Sequence, residues 1–171
     1  MAGALFFISQ MLSPVPAMLH DITFPARAAV ILDSFCRLLG HELVERSGDA
    51  SLDAQRLFEL PQGVLAHDLS QPPLLDWANL AAADAFDALP ATLLGRPSAD
   101  TTPADETADR QHLFEMLRRQ GFVTGYCGTR VSLAGRRFAI QNVTVLALHD
   151  GLGNPAGHAA IIGSIGPETA P

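Results

Sequence analysis

At 171 residues, 48% of them apolar, the chain is long enough to bury one domain core and too hydrophobic to stay disordered. A net charge of −7 argues against general attraction to nucleic acid or anionic membrane, and no apolar run approaches the roughly 18 residues of a membrane span. Residues 1–95 hold 4 Arg against 11 acids, residues 96–171 hold 7 of each, and lysine is absent, so an anion would have to be met by Arg, His or backbone amides.

The first 24 residues read as a poorly structured or mis-annotated extension. Ala2 to Val15 is apolar without the basic start of a signal peptide, and Met11 and Met18 offer later initiation points. From Pro25 to about Val44 the positions Val30, Ile31, Leu32, Phe35, Leu38 and Leu39 recur at three and four, giving one apolar helical face that stops at Gly40 or shortly after. Ser51 is expected to cap a short second helix through Leu60 with Leu52, Leu57 and Phe58 inward, and Pro61 stops it. Residues 25–62 thus form an N-terminal helical segment.

Residues 63–165 form the expected core. Gly63 to Asp68 reads as a strand, Gln71-Pro72-Pro73 as a turn, and Leu74 to Trp77 as a second strand. Asn79 can cap a helix from Leu80 to Leu89, and residues 90–99 connect onward. Thr102-Pro103-Ala104-Asp105 has the signature of a helix start. Asp105, Glu106 and Asp109 would lie at its positive end, Arg118 and Arg119 at its negative end, Leu113, Phe114 and Leu117 on its buried face, and Gly121 at its close. Three strands follow at about 122–132, 136–149 and 157–165, and residues 166–171 read as a disordered tail. The central strand carries Val143, Val145 and Ala147 beside Leu146 and Leu148, which predicts that both sheet faces are covered, one of them by the helix 25–44 or by a second subunit. The element order fits an α+β fold: a PAS-like five-stranded antiparallel sheet with helices on one face and an N-terminal helical extension.

Several segments together resemble the MEKHLA domain, a PAS-related family. They are Leu32-Asp33-Ser34-Phe35 to Gly40, Trp77-Ala78-Asn79, Pro97-Ser98-Ala99, Glu106 with Arg110, Gly121-Phe122, Tyr126 to Arg130, Gly135 to Ile140, and Gly157-His158-Ala159-Ala160. The resemblance spans about residues 26–163. Two positions depart from it: the family usually has Gln where His158 stands, and Trp where the central strand has Leu146. The resemblance implies a stand-alone, sensor-like bacterial or algal protein, related to the C-terminal regulatory domain of plant homeodomain–leucine-zipper factors. It brings no catalytic residues. The chain has no homeodomain and no zipper heptads, so DNA binding does not transfer.

The residues leave several chemistries to weigh. Alternation puts Tyr126, Gly128, Arg130 and Ser132 on one strand face, leaving room for a polar small molecule between sheet and helices. The candidate ligand-binding residues are Trp77, Asn79, Phe114, Tyr126, Gly128, Arg130, Phe138 and His158. The glycines equally serve close backbone approach, and Arg130, Arg136 and Arg137 equally serve structural ion pairs. His67, His149 and His158 invite a metal, with His149 and His158 facing each other across a hairpin, but no HxH, HExxH or CxxC spacing supports it. His112 reads as an exposed helix residue. Cys36 and Cys127 read as reduced, buried thiols in a cytoplasmic protein, and Cys127 on a strand disfavours a flavin adduct. Ser98 with His67 or His158 and an Asp makes a triad on paper, without the Gly-x-Ser-x-Gly elbow. No cofactor is named by these patterns, and no enzyme is expected. The leading expectation is a sensory domain that binds a small molecule or signals through a homodimer or protein partner. The alternative is an interaction module whose interior is solid among Trp77, Phe114, Tyr126 and Phe138.

Overall fold

The computed structural model describes residues 23–167. Of the expected extension 1–24, residues 1–22 lie outside the described residues, as do residues 168–171 of the expected tail 166–171 and the side chain of Asp109. Thr23 and Phe24 instead open the first helix, where Phe24 is buried, and Gly166 and Pro167 are held in a strand by pairing with residues 138 and 139, so neither pair is unstructured. Helix α1 runs Thr23–Leu39 and closes at Gly40, whose φ of +79° suits a residue without Cβ. Helix α2 runs Ala50–Phe58. Its cap is Asp49, not Ser51: the Asp49 carboxylate accepts from the amides of Ser51 and Leu52, both at 2.9 Å, adding a negative charge at the positive helix end. This start turns Leu57 and Phe58 inward and leaves Leu52 41% exposed, contrary to expectation.

Strands β1 (Gly63–His67) and β2 (Leu75–Ala78) follow, then α3 (Leu80–Ala85), capped by Asn79 as its sequence predicts. Helix α3 ends before Leu89 because Asp87 takes a positive φ of 53°. The expected connection contains a further short helix, α4 (Pro90–Leu93), with Pro90 in its first turn. Two 3₁₀ turns, Ser98–Thr101 and Ala104–Glu106, delay the long helix α5 to Thr107–Gln120. Thr102 is therefore not its cap. Its hydroxyl accepts from Arg110 at 2.8 Å, and the Glu106 carboxylate reaches across to the Thr129 amide at 2.8 Å.

Strands β3 (Phe122–Val131), β4 (Arg137–His149) and β5 (Pro155–Ile162) complete an antiparallel sheet in the order β2-β1-β5-β4-β3, and a short β6 (Ser164–Pro167) continues β5 along β4. β5 and β6 are separated at Gly163, where a side chain would sit 2.6 Å from the Asn142 carbonyl oxygen. Asn142 itself takes φ 51° and interrupts the alternation of β4. Phe138 and Ile140 before it therefore share a face with Val143 and Val145 after it, while Leu146 and Leu148 point the other way.

Both faces are covered. On one, Val64, Trp77, Leu146, Leu148 and Ile161 pack against Phe24, Ala28, Ile31, Leu32 and Phe35 of α1 and Leu57 and Phe58 of α2. Each such buried side chain contributes on the order of 2 kcal/mol. α1 thus supplies the expected second cover. Polar ties hold it in place: Arg27 donates to the Ala156 and His67 carbonyls and pairs with Asp76 at 2.9 Å, and the Ser34 hydroxyl accepts from the His149 amide at 3.0 Å. On the other face, Leu65, Phe138, Ile140, Val143 and Val145 pack against α3, Phe86, Leu93, and Leu113 and Leu117 of α5. No helix among the described residues is long and apolar enough to cross a membrane.

Candidate functional site

Under α5 the second face is incompletely filled. A cavity of about 80 Å³ lies between that helix, the turn at Ser98–Thr101 and strands β1, β4 and β5. One water needs roughly 10–15 Å³ by this measure, so there is room for several waters or a small organic molecule. Its walls are mostly aliphatic, and its polar side chains come from five segments: His67, Ser98, Thr101, Arg110, Arg130 and His158.

Arg110 follows from the helix geometry. It lies on the stripe Arg110, Leu113, Phe114, Leu117, at three- and four-residue spacing, so the period that buries the leucines also turns the guanidinium inward. Its nitrogens donate to the Thr102 and Ser98 hydroxyls, both at 2.8 Å, and to the Ser98 carbonyl at 3.3 Å, and the group lies 5.3 Å from the Phe114 ring centre. Burial, with the charge of Arg130 nearby, lowers its pKa. Arg130 comes from β3. It donates to the Thr129 carbonyl at 2.7 Å and to the Tyr126 hydroxyl at 3.4 Å, with the Glu106 carboxylate 3.9 Å away.

His67 and His158 are register partners on β1 and β5, with ring centres 5.2 Å apart, and both rings pack against Phe114. His67 Nδ1 donates to the Asp68 carbonyl at 2.8 Å, so its neutral ring offers Nε2 as an acceptor. Burial holds the His67 pKa below the ordinary histidine value, with Arg110 acting in the same direction. Burial pushes His158 down to about 4, helped by His67, Arg110 and His149. Both rings are neutral at pH 7. The buried Nδ1 of His158 has no partner among the described residues.

Of the eight residues singled out by sequence, Phe114, Arg130 and His158 line this cavity. Tyr126 stands beside it through its contact with Arg130. Gly128 lies beneath the tyrosine: a Cβ there would come 2.7 Å from the Tyr126 hydroxyl, so close approach explains the glycine. Phe138 is packed edge-on against Phe86, in the core behind the site. Trp77 is on the opposite sheet face, stacked on Phe24 with ring centres 4.0 Å apart. Asn79 is buried and fully used: its side-chain oxygen accepts from Val64 and Ala82, and its amide donates to Leu60 and Gln62. These two are not brought to the cavity. Sequence reasoning passed over Arg110 as a site residue, although an arginine on an apolar helical stripe was the available signal.

The other constellations resolve differently. Arg136 pairs with Asp87 and Arg137 with Asp105, both at 3.1 Å, so only Arg130 of the hairpin arginines faces the cavity. No group of three His, Cys, Asp or Glu among the described residues is placed to hold a metal, and His149 pairs in register with Pro155, not with His158. Ser98 does line the same cavity as both histidines, but its hydroxyl accepts from Arg110 and no hydrogen bond joins it to either ring among the described residues. His112 is exposed. Cys36 is half-buried, and Cys127, on the sheet-edge strand β3, is exposed, which corrects the expectation of two buried thiols.

The MEKHLA domain family model matches residues 26–165. No curated protein matches the chain. Among solved structures the chain is similar to the PAS domain of a Colwellia psychrerythraea protein, with a TM-score of 0.57 at 14% identity, covering 65% of this chain and 92% of that one. It is also similar to a variant of the fungal photoreceptor VVD, with a TM-score of 0.56 at 13% identity, covering 78% of this chain and 93% of that one. A third likeness is to the PAS domain of a LuxR-family transcriptional regulator from Burkholderia thailandensis, in complex with ethanol, with a TM-score of 0.50 at 18% identity, covering 63% and 92%. At such identities these likenesses establish the fold.

Proposed function

The chain belongs to the MEKHLA domain family, and on that footing we propose that it is a PAS-like sensory domain that binds a small molecule in the cavity beneath α5. The observation that carries this reading is the convergence of Arg110, Arg130, His67 and His158 on one small, mostly aliphatic space. A few polar groups set in apolar walls are what fixes a ligand's orientation. A route outward starts at the same residues. The backbone carbonyl of His67 accepts from Arg27 of α1 at 3.1 Å, so a ligand that shifts β1 also loads the contact holding α1 to the sheet. The expected setting is the cytoplasm, where both thiols stay reduced.

Native mass spectrometry of the purified protein tests this directly. The expected result is a retained small-molecule mass that is lost in Ala160→Leu, which fills the cavity from β5. No retained mass, together with no thermal shift across a metabolite panel, would count against ligand binding. A second reading, homodimerisation, rests on β3, whose ten residues form one edge of the sheet with Thr124, Gly125 and Cys127 exposed. The same spectra report subunit number, and a monomer at working concentration removes that reading.

A further inference from the structure

We propose that the ligand of this cavity is a small organic carboxylate with an apolar body, its charged end held by Arg110 beside Arg130. The inference rests on the cavity being a ligand site and adds the ligand's chemical class.

Charge balance is the first argument. The cavity lining contains two guanidinium groups and no Asp or Glu. The half-buried Arg27 and Arg46 each have a carboxylate at 2.9 Å. Arg110 has none within 4.0 Å among the described residues; its partners are the neutral oxygens of Ser98 and Thr102. Glu106 does not supply the missing charge, because it lies 3.9 Å from Arg130 and is engaged by the Thr129 amide. A guanidinium drawn out of water without a counter-charge is costly, and a ligand anion removes that cost.

Geometry gives the class. Of the five N–H groups of Arg110, three are used by Ser98 and Thr102. Among the described residues two remain without a partner, the number a carboxylate accepts from one guanidinium in a paired contact. The two histidines at the site are neutral, so they add hydrogen bonding without further positive charge, which suits a monoanion better than a phosphate dianion. Leu65, Leu113, Ile140 and Val145 line the rest, matching an alkyl or aryl body. His158, whose Nδ1 has no partner among the described residues, adds one more polar group to the lining.

Isothermal titration of the whole chain with benzoate and hexanoate, beside benzamide and hexanamide, tests the class. The carboxylates are expected to bind at least tenfold more tightly than the neutral amides. Arg110→Gln should lose at least tenfold for the carboxylates and leave the amides unchanged. Should that variant fail to fold, Arg110→Lys keeps the charge, loses the fork, and is expected to show a smaller loss of the same kind. Amides binding as tightly as acids overturn the carboxylate class while leaving the cavity reading in place. Inorganic phosphate binding more tightly than the carboxylates overturns it as well. If none of the four organic probes binds, the class is also wrong, and the cavity reading is then decided separately by whether the isolated protein carries a mass that Ala160→Leu removes.

Discussion

Replacing His158 by Gln should flatten the acid side of the stability profile. In the folded chain this ring is half-buried between His67 and Phe114 with Arg110 nearby, and its pKa falls from 6.5 to about 4. The unfolded chain therefore takes up a proton at a higher pH than the folded chain does. Stability from the neutral half-buried ring is complete above pH 6.5 and is lost as pH falls from there toward 4. Between pH 7 and pH 5 the loss is about 2 kcal/mol for a fully shielded ring, and roughly 1 to 2 once solvent at its exposed edge is included. Gln has a similar reach and does not titrate, so His158→Gln should lose that much less stability than the native chain over the same interval. His67 is shifted in the same direction and leaves a residual slope in both proteins. Urea unfolding at the two pH values, followed by the single buried Trp77, reads the difference as a midpoint shift on the order of 1 M. Equal losses in the two proteins would refute the argument, because they would mean that His158 titrates normally in the fold.

Three further outcomes are expected. Asn79→Ala should cost about 3 kcal/mol or more in chemical denaturation, since it strands the buried amides of Val64 and Ala82 and removes the donor to the part-buried carbonyls of Leu60 and Gln62; a cost below 1 kcal/mol would contradict this. Gly157→Ala should destabilise by at least about 3 kcal/mol or prevent folding, because its Cβ would overlap the His67 carbonyl oxygen at 1.8 Å and the residue has φ 103°; near-native circular dichroism and midpoint would count against it. Phe24→Ala should cost roughly 3 to 5 kcal/mol and shift Trp77 emission to the red as water reaches the indole, whereas unchanged emission would mean that α1 does not depend on this stack.

The cores of most elements are legible in the chain because their signals are local. The 3.6-residue period of α1 and α5, Asn79 before α3, Gly121 after α5 and the turn residues between β3 and β4 each act within a few neighbours. Starts were less legible where two residues compete for one role. Asp49 displaces Ser51 because both can cap and the chain direction decides, and Thr102 loses its capping role because Arg110 claims its hydroxyl from one turn inside α5. The site was legible in part. Phe114, Arg130 and His158 reach the cavity, whereas Trp77 does not, since aromatic character says nothing of which sheet face a residue occupies.

By itself the sequence determined the family, the α+β element order and the need for cover on both sheet faces. These follow from local periodicity and from the chain's supply of apolar residues. Tertiary structure alone decided which groups share a space. The irregularity at Asn142 sets which β4 residues face α5, the β1–β5 register puts His67 against His158, and the two 3₁₀ turns bring Ser98 and Thr102 onto Arg110. Each of these depends on residues far apart in the chain meeting at a register, and no local pattern encodes that distance. Arg110 is turned inward by the period of its own helix, but that no carboxylate among the described residues pairs with it appears only when every surrounding element is in place.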